Sequence, residues 1–147
     1  PVVRAPRVAA GANRRMTDPV ELLRSARTIA VVGASPSPDR ESHGVMRYLI
    51  GAGYRCIPVR LDGAAVHGIP SVRSLHEIDE PVDLVDVFRR AEFCAAHVQE
   101  AVQTGAKAVW LQLGIVSAEA RAIAEAAGLP YVEDACTAVV HAHALRG

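Results

Sequence analysis

The sequence predicts an α/β domain, a doubly wound sheet of about five mainly parallel strands with helices on both faces. Three observations lead there. From Thr28 onward, short β-branched runs alternate with longer helical patterns, the way βαβ units read in sequence. Gly53, Gly105 and Gly128 each stand just after a predicted helix, where a left-handed cap is needed. At 147 residues, half of them hydrophobic and 22% charged, the chain has the size and composition of one compact domain.

The elements follow in order. Residues 1–16 mix Pro, Gly, Ala and Arg without apolar periodicity and read as a mobile N-terminal extension, leaving 17–147 as the folded domain. Thr17-Asp18-Pro19-Val20-Glu21 supplies a candidate N-cap, an early proline and an acid in the first turn, which opens a short helix to about Ala26. Strands are expected over 28–33, 54–59, 83–88, 106–111 and 130–133, with helices near 42–52, 92–104, 117–127 and 137–145. The stretch 60–81 lacks a long helical pattern and is expected to cross with a short turn around 71–78. Aromatic residues are only 4% of the chain, so the core must be built from small side chains, and Trp110 is expected inside it.

Charge and cysteine usage exclude several classes. Sixteen basic and sixteen acidic residues cancel, so no global field exists to hold nucleic acid or an anionic membrane, and any anion site must be local. No apolar run approaches the ~20 residues of a membrane span and no apolar leader follows the basic start, so the expected location is cytoplasmic. Cys56, Cys94 and Cys136 are odd in number and widely spaced, and His141 and His143 do not share a helix face, so neither a disulfide framework nor a metal site is expected.

In doubly wound sheets ligands sit beyond the carboxyl ends of the strands, which directs attention to four loops. The first reads Gly33-Ala34-Ser35-Pro36-Ser37 and continues through Arg40 to Ser42. It is not GxGxxG, yet a strand, a glycine loop and a helix start form a ready phosphate site, with Ser35, Arg40 and Ser42 as added donors. The plainer alternative makes Ser42 a simple N-cap and Arg40 a solvated charge. The second strand ends Pro58-Val59-Arg60, putting a cation where NAD-binding folds of this kind carry an acid. Arg60 would suit a 2′- or a 3′-phosphate, or simply be a solvated strand end. Phe88-Arg89-Arg90 after the third strand offers two guanidiniums, for a ligand or for a surface acid such as Glu92. After the fourth strand, Leu111-Gln112-Leu113 leads to Gly114, where backbone could approach a ligand closely. No nucleophile and base share a recognised spacing, so no catalytic residue is nominated, and Cys136 is the one thiol placed near the ligand edge.

In combination these runs resemble a known family. VVGASPSPDRESHGVMRYLIGAGYRCIPV, VDLVDVFRRAEF, GAKAVWLQLGIVSAEA and AGLPYVEDAC are similar, over about residues 17–136, to the stand-alone CoA-binding proteins, whose Rossmann-like domain is in turn similar to the N-terminal domain of the succinyl-CoA ligase alpha subunit. The resemblance implies a CoA-binding, NAD(P)-type fold, with contacts at 33–37, at the basic position matched by Arg60, and at 111–113. Two departures stand out: Arg60-Leu61 replaces the usual Asn-Pro or Ser-Pro after the second strand, and Ala135 stands where the family's closing motif has Arg. The expected function is therefore a small CoA- or acyl-CoA-binding module without catalytic machinery of its own. A protein partner stays unidentified, and the alternative is an NADP-binding oxidoreductase or redox sensor on the same fold.

Overall fold

The structure, a computed structural model, describes residues 17–146. The expected N-terminal extension lies outside the described residues. A short helix α1 (Pro19–Ser25) leads into β1 (Thr28–Val32), α2 (Glu41–Gly51) and β2 (Arg55–Val59). A single 3₁₀ turn (Leu75–Glu77) then precedes β3 (Leu84–Val87), α3 (Ala91–Thr104), β4 (Val109–Leu111), α4 (Ala118–Ala126), β5 (Tyr131–Val132) and α5 (Thr137–Ala144). All strand pairs are parallel, in the order β2-β1-β3-β4-β5. The fold class is thus a Rossmann-like α/β sheet, wholly parallel.

Local chemistry explains the element ends. Asp18 caps α1, its Oδ1 accepting from the Val20 N–H at 2.9 Å, and Pro19 sits where its missing N–H is not needed. Gly105 closes α3 with φ 78°, in the left-handed region that favours glycine. Pro58 is tolerated inside β2 because that residue faces the outer side of the sheet. There the pairing is one parallel bridge, in which Val72 donates to the Pro58 carbonyl at 3.0 Å and the Arg60 N–H donates to Val72 at 2.8 Å. Stretch 60–81 therefore contributes a one-residue strand edge as well as the expected turn.

The strand alternation sorts the core into two layers. Ile29, Val31, Leu84, Ala108 and Trp110 pack under α1, α2 and α5, whereas Ala30, Val32, Val85, Val87, Val109 and Leu111 pack under α3 and α4. Trp110 is fully buried and its indole N–H donates to the Ala135 carbonyl at 2.7 Å, satisfying the one polar atom it brings inside. Cys56 and Cys94 are small core residues, as expected. The strands are shorter than their sequence pattern suggests: β4 starts at Val109 rather than at residue 106, because its ladder with β3 runs only from Val109 to Leu111, opposite Val85 to Val87.

Candidate functional site

The order β2-β1-β3 means that the chain leaves β1 toward one side and returns to the other, opening a crevice between the loops after β1 and β3. A cleft of about 950 Å³ lies there. Gly33 makes the crevice possible. It has φ 84°, and a Cβ at this position would stand 2.5 Å from the Phe88 carbonyl oxygen, so the two loops touch only because the side chain is absent.

Of the residues nominated from sequence, Gly33, Ser35, Arg40, Ser42, Val59, Arg60, Phe88, Arg89, Arg90, Gln112 and Leu113 line this cleft. Ala34, Pro36, Ser37, Pro58 and Leu111 do not. Ala34 and Leu111 are fully buried in the core, and Pro58 is buried within β2. Ser37 turns to its own loop, its N–H donating to Ser35 Oγ at 3.1 Å and its hydroxyl to Asp39. Strand residues at alternate positions face opposite sides, so a contiguous run nominated as a site cannot all point one way.

The electrostatics of the cleft are uneven. Arg40, Arg60, Arg73, Arg89 and Arg90 line it against the acids Glu41, Asp62 and Glu100. Among the described residues, Arg40, Arg89 and Arg90 form no ion pair. Arg40 and Arg90 occupy the N-cap positions of α2 and α3 and make no side-chain capping bond; the His43 and Phe93 N–H groups donate to their carbonyls at 3.1 and 2.9 Å, and the N–H groups ahead of these in each first turn have no side-chain cap. Ser42 is not the cap; it sits one position inside α2 and is buried. Arg89 lies with its guanidinium carbon 4.6 Å from the centre of the Phe93 ring.

Arg60 is held differently. Its Nε and Nη2 donate to Asp62 at 2.8 and 2.7 Å, and Nη1 donates to the Ala34 carbonyl at 2.6 Å. The side-chain hydrogen bonds from Arg60 hold the Asp62 carboxyl far below the usual carboxylate range. Three of its five N–H donors are thereby used, tying the end of β2 to the glycine loop, and two are left.

Sequence reasoning missed a second wall. Arg73 and Ser74 reach the cleft from beside the 3₁₀ turn, and Ala96, His97 and Glu100 from the body of α3. Burial lowers the His97 pKa, with Arg89 adding to the effect and Glu100 opposing it, so the imidazole is neutral at pH 7. The spacing of Ala96, His97 and Glu100 along one helix face was the available signal. It was invisible without knowing which face of α3 turns to the cleft. Cys136, in contrast, is not among the lining residues; it packs against the α2–α5 core layer.

Comparison with known proteins places this geometry. Residues 27–142 match the protein family described as CoA binding domain. The chain is 41% identical over 122 residues to the uncharacterized protein YneT of Bacillus subtilis (strain 168), covering 83% of this chain and 90% of that protein. It is 29% identical over 96 residues to the alpha subunit of an ADP-forming acetate-CoA ligase I from Pyrococcus furiosus, covering 61% of this chain and 21% of that subunit. Among solved structures, a hypothetical protein from Pyrococcus horikoshii OT3 is similar with a TM-score of 0.85 at 35% identity, over 88% of this chain and 91% of that one.

Proposed function

The chain belongs to the CoA binding domain family, and on that premise we propose that the cleft at the carboxyl edge of its sheet binds CoA, free or acylated, as a stand-alone module. The observation that carries the reading is the set of unpaired guanidiniums, Arg40, Arg89 and Arg90, gathered around two uncapped helix starts. Free N–H groups, the helix dipole and forked cations all favour phosphate oxygens. In this reading the pyrophosphate lies on the Gly33 loop and the start of α2. The 3′-phosphate is near the two remaining donors of Arg60, and the adenosine is flanked by Phe88, Arg89 and Arg90. The pantetheine arm runs toward Gln112 and Leu113.

The reading is one of binding alone. Among the described residues, no hydroxyl or thiol lining the cleft is hydrogen-bonded to a histidine, so no nucleophile there is paired with a base. Native mass spectrometry of the gently purified protein tests the ligand class directly. A mass increment of CoA or an acyl-CoA is expected, and added CoA should raise the melting temperature with concentration, as any ligand selective for the folded state must. A nicotinamide nucleotide in its place would overturn the proposal.

A further inference from the structure

The loop between β2 and the 3₁₀ turn carries a histidine where its backbone asks for another residue. Val66 and Ile69 exchange N–H···O bonds at 3.0 and 2.9 Å, closing a two-residue hairpin over His67 and Gly68. These two have φ of 52° and 76°, the positive pair that a type I′ turn requires and that Asn-Gly or Asp-Gly usually supplies. What His67 contributes therefore lies in its side chain. Its ring centroid is 4.0 Å from that of His43, with the planes tilted by 38°, and its Nε2 is 2.8 Å from the His43 carbonyl oxygen. A carbonyl only accepts, so His67 Nε2 carries a proton and donates. His43 is the third residue of α2, directly after Glu41 and Ser42, which line the cleft.

No acid holds a charge on this pair. Among the described residues, neither His43 nor His67 is in an ion pair, and the His43 ring nitrogens make no hydrogen bond. Partial burial, then His67, then Arg47 one helical turn on, lower the His43 pKa, so its ring is neutral at pH 7. The other groups around α2 are engaged elsewhere. His141 of α5 bonds Tyr48 through Nδ1 at 2.9 Å, burial and then Asp86 push the Cys56 thiol of β2 up to about 12, and Glu41 lines the cleft. A first proton on the pair leaves one cation against a neutral ring. A second sets two like charges on rings 4.0 Å apart, with the Arg47 guanidinium as a third. The depressed pKa of His43 contributes stability above the unfolded value of ~6.5, and that stability is lost as the pH falls through the folded value.

We propose that His43 and His67 form an acid-sensitive clasp between α2 and the 66–69 turn, closed while the pair carries at most one proton and open when both rings are charged. The clasp joins two walls of the cleft. The loop it holds starts at Arg60 and Asp62, which line the cleft, and ends at Val72, whose carbonyl accepts from the Arg60 N–H at 2.8 Å. Its tip alone reaches over to the first turn of α2. Val66, 0% exposed, seats the turn in the core layer of Val45 and Met46, so opening frees the tip and leaves the domain folded. Resting on the CoA reading above, the closed clasp keeps the Arg60 wall against the start of α2, and opening it weakens the bound molecule in acid.

The test uses the full chain and two variants. His43→Phe keeps an aromatic ring against His67 that cannot be charged, and His67→Asn keeps a residue suited to the left-handed turn while removing the second ring. In NMR titrations of the free protein, the His43 ring resonance should titrate at higher pH in His67→Asn than in the wild type. Hydrogen exchange at the Val66 and Ile69 amides reads the opening. The ratio of wild-type to His43→Phe protection should fall at least about fivefold between pH 7.5 and pH 5, the effect in water of two charges at this separation. Over the same range the wild type should lose more CoA affinity than His43→Phe, whose own loss measures protonation of the ligand phosphates. An unchanged His43 midpoint in His67→Asn, or a constant protection ratio, would overturn the clasp. Equal CoA losses would overturn its link to the cleft. If the protection ratio falls while CoA binds at neither pH, the CoA reading fails and the clasp stands.

Discussion

The two edges of the sheet carry the same residue types and treat them in opposite ways. At the amino edge, Glu80 grips both Nε and Nη2 of Arg55 at 2.6 Å, Lys107 stands 3.3 Å from Asp83, and Arg24 pairs with Glu21. Asp83 also accepts the backbone N–H groups of Arg27 and Thr28, at 2.9 and 3.0 Å. At the carboxyl edge, Arg40, Arg89 and Arg90 have no such partner, and two of them stand on uncapped helix starts. Of the other helix starts, those of α1 and α4 are capped by Asp18 and Ser117, the latter also at the carboxyl edge, and that of α5 has no side-chain cap. Arg27 is the exception at the amino edge, meeting Asp83 through its backbone N–H. In a chain of zero formal charge, the difference teaches that most charges near the strand starts are neutralised within the fold, while near the strand ends Arg40, Arg89 and Arg90 stay without an ion pair among the described residues, beside the paired Arg60 and Asp62.

The largest break in this comparison comes from Gly33→Ala. A left-handed backbone at a non-glycine residue costs about 1–3 kcal/mol, and the new Cβ must also displace the Phe88 carbonyl. The melting temperature should drop and the stabilisation by CoA should vanish, both readable in one thermal-shift series. The double variant Arg89→Gln, Arg90→Gln should weaken CoA on the order of ten- to a hundredfold, since one charge-assisted contact is worth about 1.5–3 kcal/mol. It should barely move the melting temperature of the free protein, because neither side chain has an ion pair to lose. Arg60→Ala is the intermediate case. Calorimetry should show CoA weakened about tenfold and dephospho-CoA weakened less, but not spared, because Arg60 also holds the Ala34 carbonyl of the Gly33 loop.

Substitutions at the amino edge should show in stability and not in binding. Burial opposes ionisation of Asp83, yet the N–H groups of Thr28 and Arg27 and the Lys107 ammonium hold its pKa below the usual carboxylate value. A depressed folded-state pKa contributes stability above the unfolded value near 4, and that stability is lost as the pH falls through the folded value. Asp83→Asn should therefore lower stability by about 1–2 kcal/mol at neutral pH, with the gap to wild type closing in acid, as followed by urea melts across pH. Lys107→Gln removes an ion pair whose lysine is mostly exposed and should change stability by less than about 1 kcal/mol.

Much of the fold was legible because its signals are local. The alternation of runs, Pro19 after Asp18, and glycines after the helices each act within a few residues, and all three glycines do take positive φ. Strand order is not local, and neither is the single bridge at Val72, which has no periodicity to announce it. The site divides the same way. Loop residues that follow strands, such as Gly33 and Arg89, were readable because a parallel sheet places every such loop at one edge. Arg73, His97 and Glu100 were not, because the packing of the 3₁₀ turn and α3 decides where they reach. The pairing of Arg60 with Asp62 was equally hidden. Both residues were visible at the strand end, but the bend that joins them is set by the turn at Asp62, whose Oδ1 also accepts from the Ala64 N–H at 3.0 Å.

One calorimetric titration tests the central claim most directly: CoA into wild type, into Arg89→Gln, Arg90→Gln, and into Lys107→Gln under the same salt. One saturable site in the wild type is expected, at least tenfold weaker in the carboxyl-edge variant and unchanged in the amino-edge one. No binding by the wild type, or equal affinities in the wild type and the carboxyl-edge variant, would contradict the assignment of the open guanidiniums to the phosphates of CoA.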